Sequence, residues 1–430
     1  MTPLCLGINF GFPADVLHID RQTLAWFHRW TGHICVLHSL LHGSFVVSNV
    51  RKSMPPNPNY IITILAGCAL ILVGPVTCVA IRQRHRQLAL KCHYVLAAVA
   101  IAAIEYHLFQ QESPYCWVLL GAVCLWFLCS SVVCMRTILT HKPWQGSHCK
   151  ADIWVSQGVL WIEINLPIGR AIRPGEYIHM WAPCAGYRAF TQLVLLYVVV
   201  AELENVDSGC TIRMVARPQR GVLYHSSFAR RQPVAILGPY GRPYDFSRYG
   251  TIVFALEDIG LFRALSYIEM LVEASHKREA MVRKVEVLWQ REKAFENPEW
   301  FKLWRQKILN FDRENFDILH FRIFCHEPTE PAKGPRSSRR LGERLWLYNG
   351  PIDFEEEISR YLDEQCGNMA LAVCAGPRTR EAVRKSVQLH LHKSPQIVEL
   401  DLGPYHTWPD DQISSENRYQ GQNSQKAGSA

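Results

Sequence analysis

Residues 26–43 decide how this 430-residue chain is organised, and they read Trp-Phe-His-Arg-Trp-Thr-Gly-His-Ile-Cys-Val-Leu-His-Ser-Leu-Leu-His-Gly. The stretch is largely apolar, yet it contains His28 and His42, which stand 14 residues apart. At about 3.6 residues per turn, that offset is just under four helical turns, or roughly 21 Å along the axis. Both imidazoles should therefore project from one face of a helix, at two different depths.

A second apolar stretch repeats the same offset. Residues 91–108 read Lys-Cys-His-Tyr-Val-Leu-Ala-Ala-Val-Ala-Ile-Ala-Ala-Ile-Glu-Tyr-His-Leu, so that His93 and His107 are again 14 residues apart. Two such helices side by side in a membrane would form two stacked sites with two imidazoles each. Two imidazoles suit the two axial positions of a haem iron, and the separation suits one haem near each bilayer face.

For any one of these histidines, a simpler interpretation is equally reasonable. A histidine near the end of a membrane helix can hydrogen-bond a neighbour, and we expect His33, His38 and His85 to do this or to face water. Polar groups within membrane spans are nevertheless rare and usually functional. The same offset in two apolar segments favours the metal-ligating interpretation.

Composition divides the chain into two parts. The sequence is strongly apolar up to about residue 137 and has the composition of a soluble protein beyond it, and its length allows two or three domains. The net charge of +8 is modest and does not suggest a nucleic-acid partner. The fifteen cysteines include no Cys-x-x-Cys pair, so we interpret them as reduced thiols. Residues 1–20 lack the pattern of a cleavable signal peptide.

Four membrane spans are predicted, at about Leu24–Asn49, Tyr60–Ile81, Leu88–Phe109 and Tyr115–Leu139. The basic loop at residues 82–86 should lie on the cytoplasmic side, by the positive-inside rule. The first and third spans then run outward in parallel. We therefore expect His28 to meet His93 at the inner face and His42 to meet His107 at the outer face. Everything after Arg136 should lie in the cytosol.

The soluble part begins with short strands of β-rich composition that predict an antiparallel barrel or sandwich, at Ile153–Val159, Trp161–Leu166, Tyr177–Ala182, Gln192–Val200, Thr211–Ala216 and Val234–Leu237. After Gly250, strands alternate with helices, which is typical of a parallel α/β domain. Residues 327–340 are predicted to be a disordered surface insertion, and residues 411–430 a disordered tail.

Several short motifs occur in an order that is typical of one superfamily: His28-Arg-Trp with His42-Gly, His93 with Glu105-Tyr-His107, Arg173-Pro-Gly-Glu-Tyr177, Gly238-Pro-Tyr-Gly241 and Cys374-Ala-Gly-Pro377. With these residues, the chain resembles the ferric reductase and NADPH oxidase superfamily, and the fungal ferric-chelate reductases most of all. The doubled histidine pair is the specific part of the match, which extends over nearly the whole chain.

The resemblance implies a multi-domain fold. A helical transmembrane haem domain would occupy residues 1–145, an antiparallel β-barrel flavin domain residues 146–250, and an α/β nicotinamide-binding domain like that of ferredoxin reductases residues 251–410. The family has six core spans, so the two that are not found here would precede Met1. The four ligand histidines lie on the first and third of the spans that are present.

The resemblance also implies an electron path. Cytosolic NADPH would reduce FAD, and single electrons would pass through two b-type haems, held by His28, His42, His93 and His107, to ferric iron or a ferric chelate outside. No side chain would act as a catalytic residue. The protein would be embedded in lipid, in the plasma membrane, with its soluble domains in the cytosol and no nucleic-acid partner.

For FAD, the resemblance implies Tyr177, Arg188, Phe190, Thr191 and Gly221. The family usually has His-Pro-Phe-Thr or His-Pro-Phe-Ser where the isoalloxazine rests, and this chain has Arg-Ala-Phe-Thr at residues 188–191. The aromatic ring could pack on the flavin, the threonine could hydrogen-bond it, and the arginine could pair with a phosphate. The alternative is an ordinary strand with alternating faces.

For NADPH, the resemblance implies Gly260, Cys374, Gly376 and Pro377. The family's loop, roughly Gly-Gly-x-Gly-x-Thr, brings backbone amides to the phosphates, whereas residues 257–260 here read Glu-Asp-Ile-Gly. Two carboxylates thus stand where an anion should bind. The loop could bind the cofactor differently, bind it weakly, or have lost binding, and Cys374 alone could be an ordinary buried thiol.

Two alternatives to a ferric reductase follow from the same residues. A superoxide-producing NADPH oxidase would have the same architecture and take electrons from the same outer haem. A degenerate, non-catalytic homologue with a regulatory role would explain the acidic loop, but it gives no physical need for four matched imidazoles.

Overall fold

A computed structural model describes residues 11–19, 21–50, 58–78, 86–141, 149–156, 159–166, 172–182, 194–205, 209–216, 229–291, 299–313, 316–325, 338–390 and 395–400. The chain forms two compact units, Met1–Leu139 and Thr140–Ala430. The first unit is helical. The described residues of the second form two seven-stranded sheets.

The helices of the first unit are α1 (Gly11–Leu17), α2 (Arg21–Val50), α3 (Pro58–Thr77), α4 (Arg86–Gln110) and α5 (Tyr115–His141). The four long helices coincide with the four segments predicted as spans. By length and composition, two described helices are able to cross a membrane, Leu88–Gln110 and Tyr115–Met135, and Ile61–Thr77 is a shorter apolar helix. Helix α2 does not pass this test because histidine, arginine and serine side chains interrupt its apolar residues.

One face of α2 nevertheless presents large apolar side chains to the surroundings. Trp30, Ile34, Leu37, Leu41 and Phe45 follow each other at intervals of three or four residues, and each is more than half exposed. This spacing places them in one stripe along the helix. An exposed apolar stripe of this length is unfavourable in water. It therefore favours an apolar environment around α2.

The first sheet of the second unit is antiparallel and has the order β6-β1-β2-β5-β4-β3-β7. Its strands are β1 (Lys150–Ser156), β2 (Val159–Leu166), β3 (Tyr177–Trp181), β4 (Val194–Asn205), β5 (Gly209–Ala216), β6 (Ala229–Pro233) and β7 (Ala235–Tyr240). The two edge strands, β6 and β7, are consecutive, with only Val234 between them. The segment of residues 229–240 therefore pairs with β1 through β6 and with β3 through β7, so that the sheet closes on itself. This pairing is expected of a small barrel.

The second sheet has the order β11-β12-β10-β9-β8-β13-β14. Its strands are β8 (Thr251–Glu257), β9 (Lys284–Arg291), β10 (Leu319–Cys325), β11 (Ser338–Gly342), β12 (Leu345–Asn349), β13 (Met369–Cys374) and β14 (Gln396–Glu399), and its helices are α6 (Gly260–His276), α7 (Glu299–Arg313), α8 (Phe354–Asp363) and α9 (Pro377–Gln388). Every described neighbour is parallel except β11 with β12. The strands alternating with helices agree with the predicted α/β pattern.

One part of the predicted insertion is wrong. Residues 338–340 begin β11 and pair with β12, so they are a strand and not a disordered segment. An antiparallel edge strand this short gives little periodicity in the sequence. The rest of the predicted insertion, and the predicted tail at 411–430, lie outside the described residues.

The chain reverses its direction of travel across the second sheet next to β8. From β8 it proceeds to β9, β10 and β12 on one side, and then returns to β13 and β14 on the other side. The carboxyl ends of β8 and β13 therefore flank a topological switch point. In open α/β sheets, ligands bind in the crevice at this position.

Helix α6 joins the two sheets. The ring of Trp161, on β2, meets the edge of Phe262 with 5.1 Å between ring centroids. The guanidinium of Arg263 lies 3.9 Å from the centroid of the Tyr197 ring, on β4. Because α6 follows the loop after β8, these contacts fix that loop relative to the first sheet.

A buried ion pair should stabilise the α/β sheet. Asp312, at the end of α7, is 1% exposed, and it accepts hydrogen bonds from the backbone N–H groups of Ile318 and Leu319 and from Arg344. Asp312→Ala would leave the buried guanidinium without this partner, so we expect a loss of about 3 kcal/mol in the free energy of unfolding. Urea unfolding followed by tryptophan fluorescence measures it.

The matched control is Glu299→Ala, which removes an ion pair with Lys302 at the surface, where the Glu299 side chain is 75% exposed. We expect a change below about 0.5 kcal/mol for this variant. Equal losses in the free energy of unfolding for the two substitutions would show that the buried Asp312 pair stabilises the sheet no more than a surface ion pair does.

Candidate functional site

Two of the predicted ligand histidines meet in the helical unit. His28 on α2 and His93 on α4 have ring centroids 6.1 Å apart, with the ring planes nearly perpendicular. A metal–imidazole bond is about 2 Å long, so this separation allows both rings to ligate one ion between them. The Nδ1 atom of His93 is buried and has no hydrogen-bond partner among the described residues. A buried polar atom in that state costs free energy unless a ligand uses it.

The second predicted pair is not assembled in the same way. The His42 side chain is exposed, and no ring contact joins it to His107 within the described helices. The Nδ1 atom of His107 lies instead 3.4 Å from the hydroxyl oxygen of Thr63, on α3. The reason is that α4 packs mainly along α3. The prediction that His42 and His107 hold an outer iron therefore rests on their spacing in the sequence.

Of the residues predicted to hold FAD, Tyr177 lies in the described part. It starts β3, is 4% exposed, and its ring packs against those of Tyr197, His179 and Tyr240 at centroid distances of 5.4, 5.7 and 6.0 Å. The ring is thus part of an aromatic cluster on the first sheet. Arg188, Phe190, Thr191 and Gly221 lie outside the described residues, so their roles stay predictions.

Two motifs that are far apart in the sequence pack together beside this cluster. A Cβ atom on Gly241 would come within 3.0 Å of the Tyr177 ring and 3.2 Å of the Gly175 carbonyl oxygen. Gly241 also has φ +95°, a conformation that side chains disfavour. The segments Arg173-Pro-Gly-Glu-Tyr177 and Gly238-Pro-Tyr-Gly241 thus form one local structure, which the sequence motifs alone did not indicate.

The residues predicted to hold NADPH meet at the switch point. A Cβ atom on Gly260 would lie 2.2 Å from the backbone oxygen of Cys374, so the loop after β8 packs directly on the end of β13. Cys374 itself is fully buried. Gly376 is the N-cap residue of α9, and Pro377 is the first residue of that helix.

The acidic loop adopts an arrangement that the sequence analysis did not foresee. The Oε2 atom of Glu257 accepts a hydrogen bond from the backbone N–H of Gly376 at 2.7 Å, and Glu257 is only 8% exposed. Asp258 has φ +46°, its N–H bonds the carbonyl oxygen of Gln290, and its carbonyl accepts from the Trp289 indole. Helix α9 was not predicted, although proline at a first helical position was an available signal for it.

A family comparison bears on the helical unit. The sequence profile described as the ferric reductase like transmembrane component matches residues 2–104. This part of the chain is therefore similar to the transmembrane component of ferric reductases. The probable cell surface ferric reductase kap2 of Aspergillus oryzae is 22% identical to it over 396 residues, which cover 84% of this chain and 51% of that protein. The chain thus spans about half the length of the curated relative that it matches.

Solved structures align with about three fifths of the chain. The Amycolatopsis cytochrome P450 reductase GcoB is 14% identical, covers 60% of this chain and 70% of its own, and gives a TM-score of 0.41. The CS-b5R domains of human Ncb5or are 12% identical, with coverages of 59% and 68% and a TM-score of 0.40. A ferredoxin NADP+ reductase from Neisseria gonorrhoeae is 12% identical, with coverages of 59% and 98% and a TM-score of 0.39.

The contact at the switch point should tolerate no side chain at residue 260. In Gly260→Ala, the new methyl group would overlap the Cys374 carbonyl, which belongs to the backbone and cannot move away easily. We expect a loss of about 2 kcal/mol or more in the free energy of unfolding of the second unit. Gly121→Ala, where nothing lies within 4 Å of the added atom, is the control. A Gly260→Ala chain as stable as the control would contradict the close packing.

Proposed function

We propose that this chain is a ferric reductase family member, a transmembrane oxidoreductase that moves electrons from cytosolic NADPH, through FAD and two bis-histidine haems, to ferric iron or a ferric chelate on the other side of the membrane. The observation that carries the proposal is the pairing of His28 with His93 inside the segment that matches the family profile.

The His28 and His93 side chains fit an iron ligand pair. Their rings approach to 6.1 Å, and the buried Nδ1 of His93 has no protein partner in the described helices. A haem held by these two residues would supply one-electron transfer and would leave the iron no position for oxygen or substrate. The chain's part in this chemistry is to hold the two rings at fixed depth within apolar helices. No side chain needs to react with the acceptor.

The proposal places a second haem at His42 and His107. It rests on the repeated 14-residue offset, which would set both pairs at matched depths along α2 and α4. The proposed flavin ligands are Tyr177, Arg188, Phe190, Thr191 and Gly221, of which the buried Tyr177 supports the wall of the site through its aromatic neighbours. Iron enters this scheme as the substrate, reduced at the outer end of the path.

The nicotinamide crevice does not fit a dinucleotide as it stands. The carboxylate of Glu257 accepts the N–H of Gly376 at the amino end of α9, beside the loop of residues 257–260 where the phosphates would be expected. We therefore assign no side chain to the transfer from NADPH. The same arrangement favours a second candidate function, a non-catalytic homologue with a regulatory role.

The haem proposal can be tested with two histidine variants of one protein. His93→Ala removes one member of the only pair that the described residues bring together, so we expect about half of the bound haem to be lost, with its bis-imidazole absorbance. His38→Ala, on α2 and exposed, should retain the wild-type haem content. Pyridine haemochrome analysis of protein expressed with added haem precursor measures both. An unchanged haem content in His93→Ala would remove this residue from the site.

The donor side is tested by anaerobic reduction of the full chain. The purified protein should bind FAD, and NADPH should bleach the flavin absorbance near 450 nm on the order of minutes. Bleaching by dithionite without bleaching by NADPH would support the regulatory homologue.

A further inference from the structure

We infer that Glu257 is an internal anion that closes the nucleotide crevice: its carboxylate occupies the amino end of α9 and excludes the pyrophosphate of a nicotinamide dinucleotide until it is displaced. The inference rests on the proposed function, because it takes NADPH as the molecule that must enter. It adds to that function a barrier built from this chain's own residue.

The position of the contact is the first support. Glu257 ends β8 and Gly376 follows β13, and these two parallel neighbours flank the switch point of the sheet. A ligand of an open α/β sheet lies in the crevice there, and its phosphates lie at a helix amino terminus. Glu257 thus holds a negative charge at the position that the topology assigns to an anionic ligand.

The amino end of α9 has fewer free backbone N–H donors than an ordinary helix end. Gly376, the N-cap residue, donates its N–H to Glu257 at 2.7 Å. Pro377, the first helical residue, has no N–H at all. A pyrophosphate arriving at this helix would therefore have to displace the carboxylate to gain the Gly376 amide.

The loop after Glu257 contacts both strands next to β8, namely β9 and β13. Its next residue, Asp258, donates its N–H to Gln290 and accepts from the Trp289 indole, both on β9. Gly260 presses on the backbone of Cys374, at the end of β13. The backbone amide of Asp258 is therefore also unavailable to a phosphate, and moving Glu257 requires a rotation of its side chain and not a swing of the whole loop.

The negative charge of Glu257 should exclude a pyrophosphate more strongly than an uncharged side chain in the same place would. Glu257 is buried, and like charges at close range in a buried site repel each other more strongly than in water. A pyrophosphate beside an ionised Glu257 would meet this repulsion as well as the lost hydrogen bond. Removal of the charge should therefore tighten binding even if the side chain stays in place.

Two variants separate the effect of the Glu257 charge from the effect of its hydrogen bond to the Gly376 amide. Glu257→Gln keeps an oxygen that can accept from the Gly376 N–H but has no charge. Glu257→Ser is too short to reach that amide and leaves it open. The matched control is Glu364→Gln, which also removes one carboxylate, at the C-cap of α8. Glu364 pairs with Lys284, the first residue of β9, and so lies at the opposite edge of the strands.

The experiment measures NADPH binding to the full chain, with FAD bound, by titration calorimetry. We expect Glu257→Gln and Glu257→Ser to bind NADPH about tenfold more tightly than wild type, and Glu364→Gln to match wild type. Hydrogen exchange at the Gly376 amide gives an independent measurement, since this amide should be protected in wild type and Glu257→Gln and exchange faster in Glu257→Ser.

Two results would overturn the inference, and they differ in what they say of the function. Equal NADPH affinity in wild type and Glu257→Gln would show that Glu257 is no barrier, while the proposed donor would stand. Absence of NADPH binding in every variant, with FAD bound, would refute NADPH as the donor and the inference with it.

Discussion

The two nitrogens of a histidine ring inside an apolar helix need hydrogen-bond partners or a metal ion. This requirement organises the amino-terminal half of the protein. Burial of an imidazole nitrogen without a partner is unfavourable. His93 carries such a nitrogen, and the ring that stands next to it belongs to His28, on another helix. An iron held between the two rings would offset the cost of placing them there. The helices around them can then be apolar and need no other polar partner at this depth.

The carboxyl-terminal half depends on a different constraint, the contact between neighbouring parallel strands at the switch point. Gly260 has no room for a side chain against Cys374, and Glu257 bonds the start of α9. Together these contacts hold the carboxyl ends of β8 and β13 against each other. Helix α6 then extends this structure to the first sheet through Phe262 and Arg263. A change at the acidic loop would thus be felt in both sheets.

Much of this organisation could be predicted from the sequence because it depends on local periodicity. The four long helices, six of the strands in the first sheet and the approach of His28 to His93 all follow from patterns of apolar residues and from a helical offset. The short strands β6, β11, β12 and β14 are not predicted, because strands of four or five residues leave little alternation. The arrangement of His42 and His107 could not be predicted from spacing, since it depends on α4 packing along α3 rather than α2. For Glu257, the sequence indicated a charge near an expected anion, but its bond to Gly376 requires α9 to begin beside it.

Electron paramagnetic resonance of the purified, oxidised chain with bound haem tests most directly whether His28 and His93 ligate one iron in the helical unit. Ligation by His28 and His93 predicts a low-spin ferric signal, because two axial imidazoles leave no weak or open position. A high-spin signal from bound haem, or a chain that takes up no haem when the supply is ample, would contradict it.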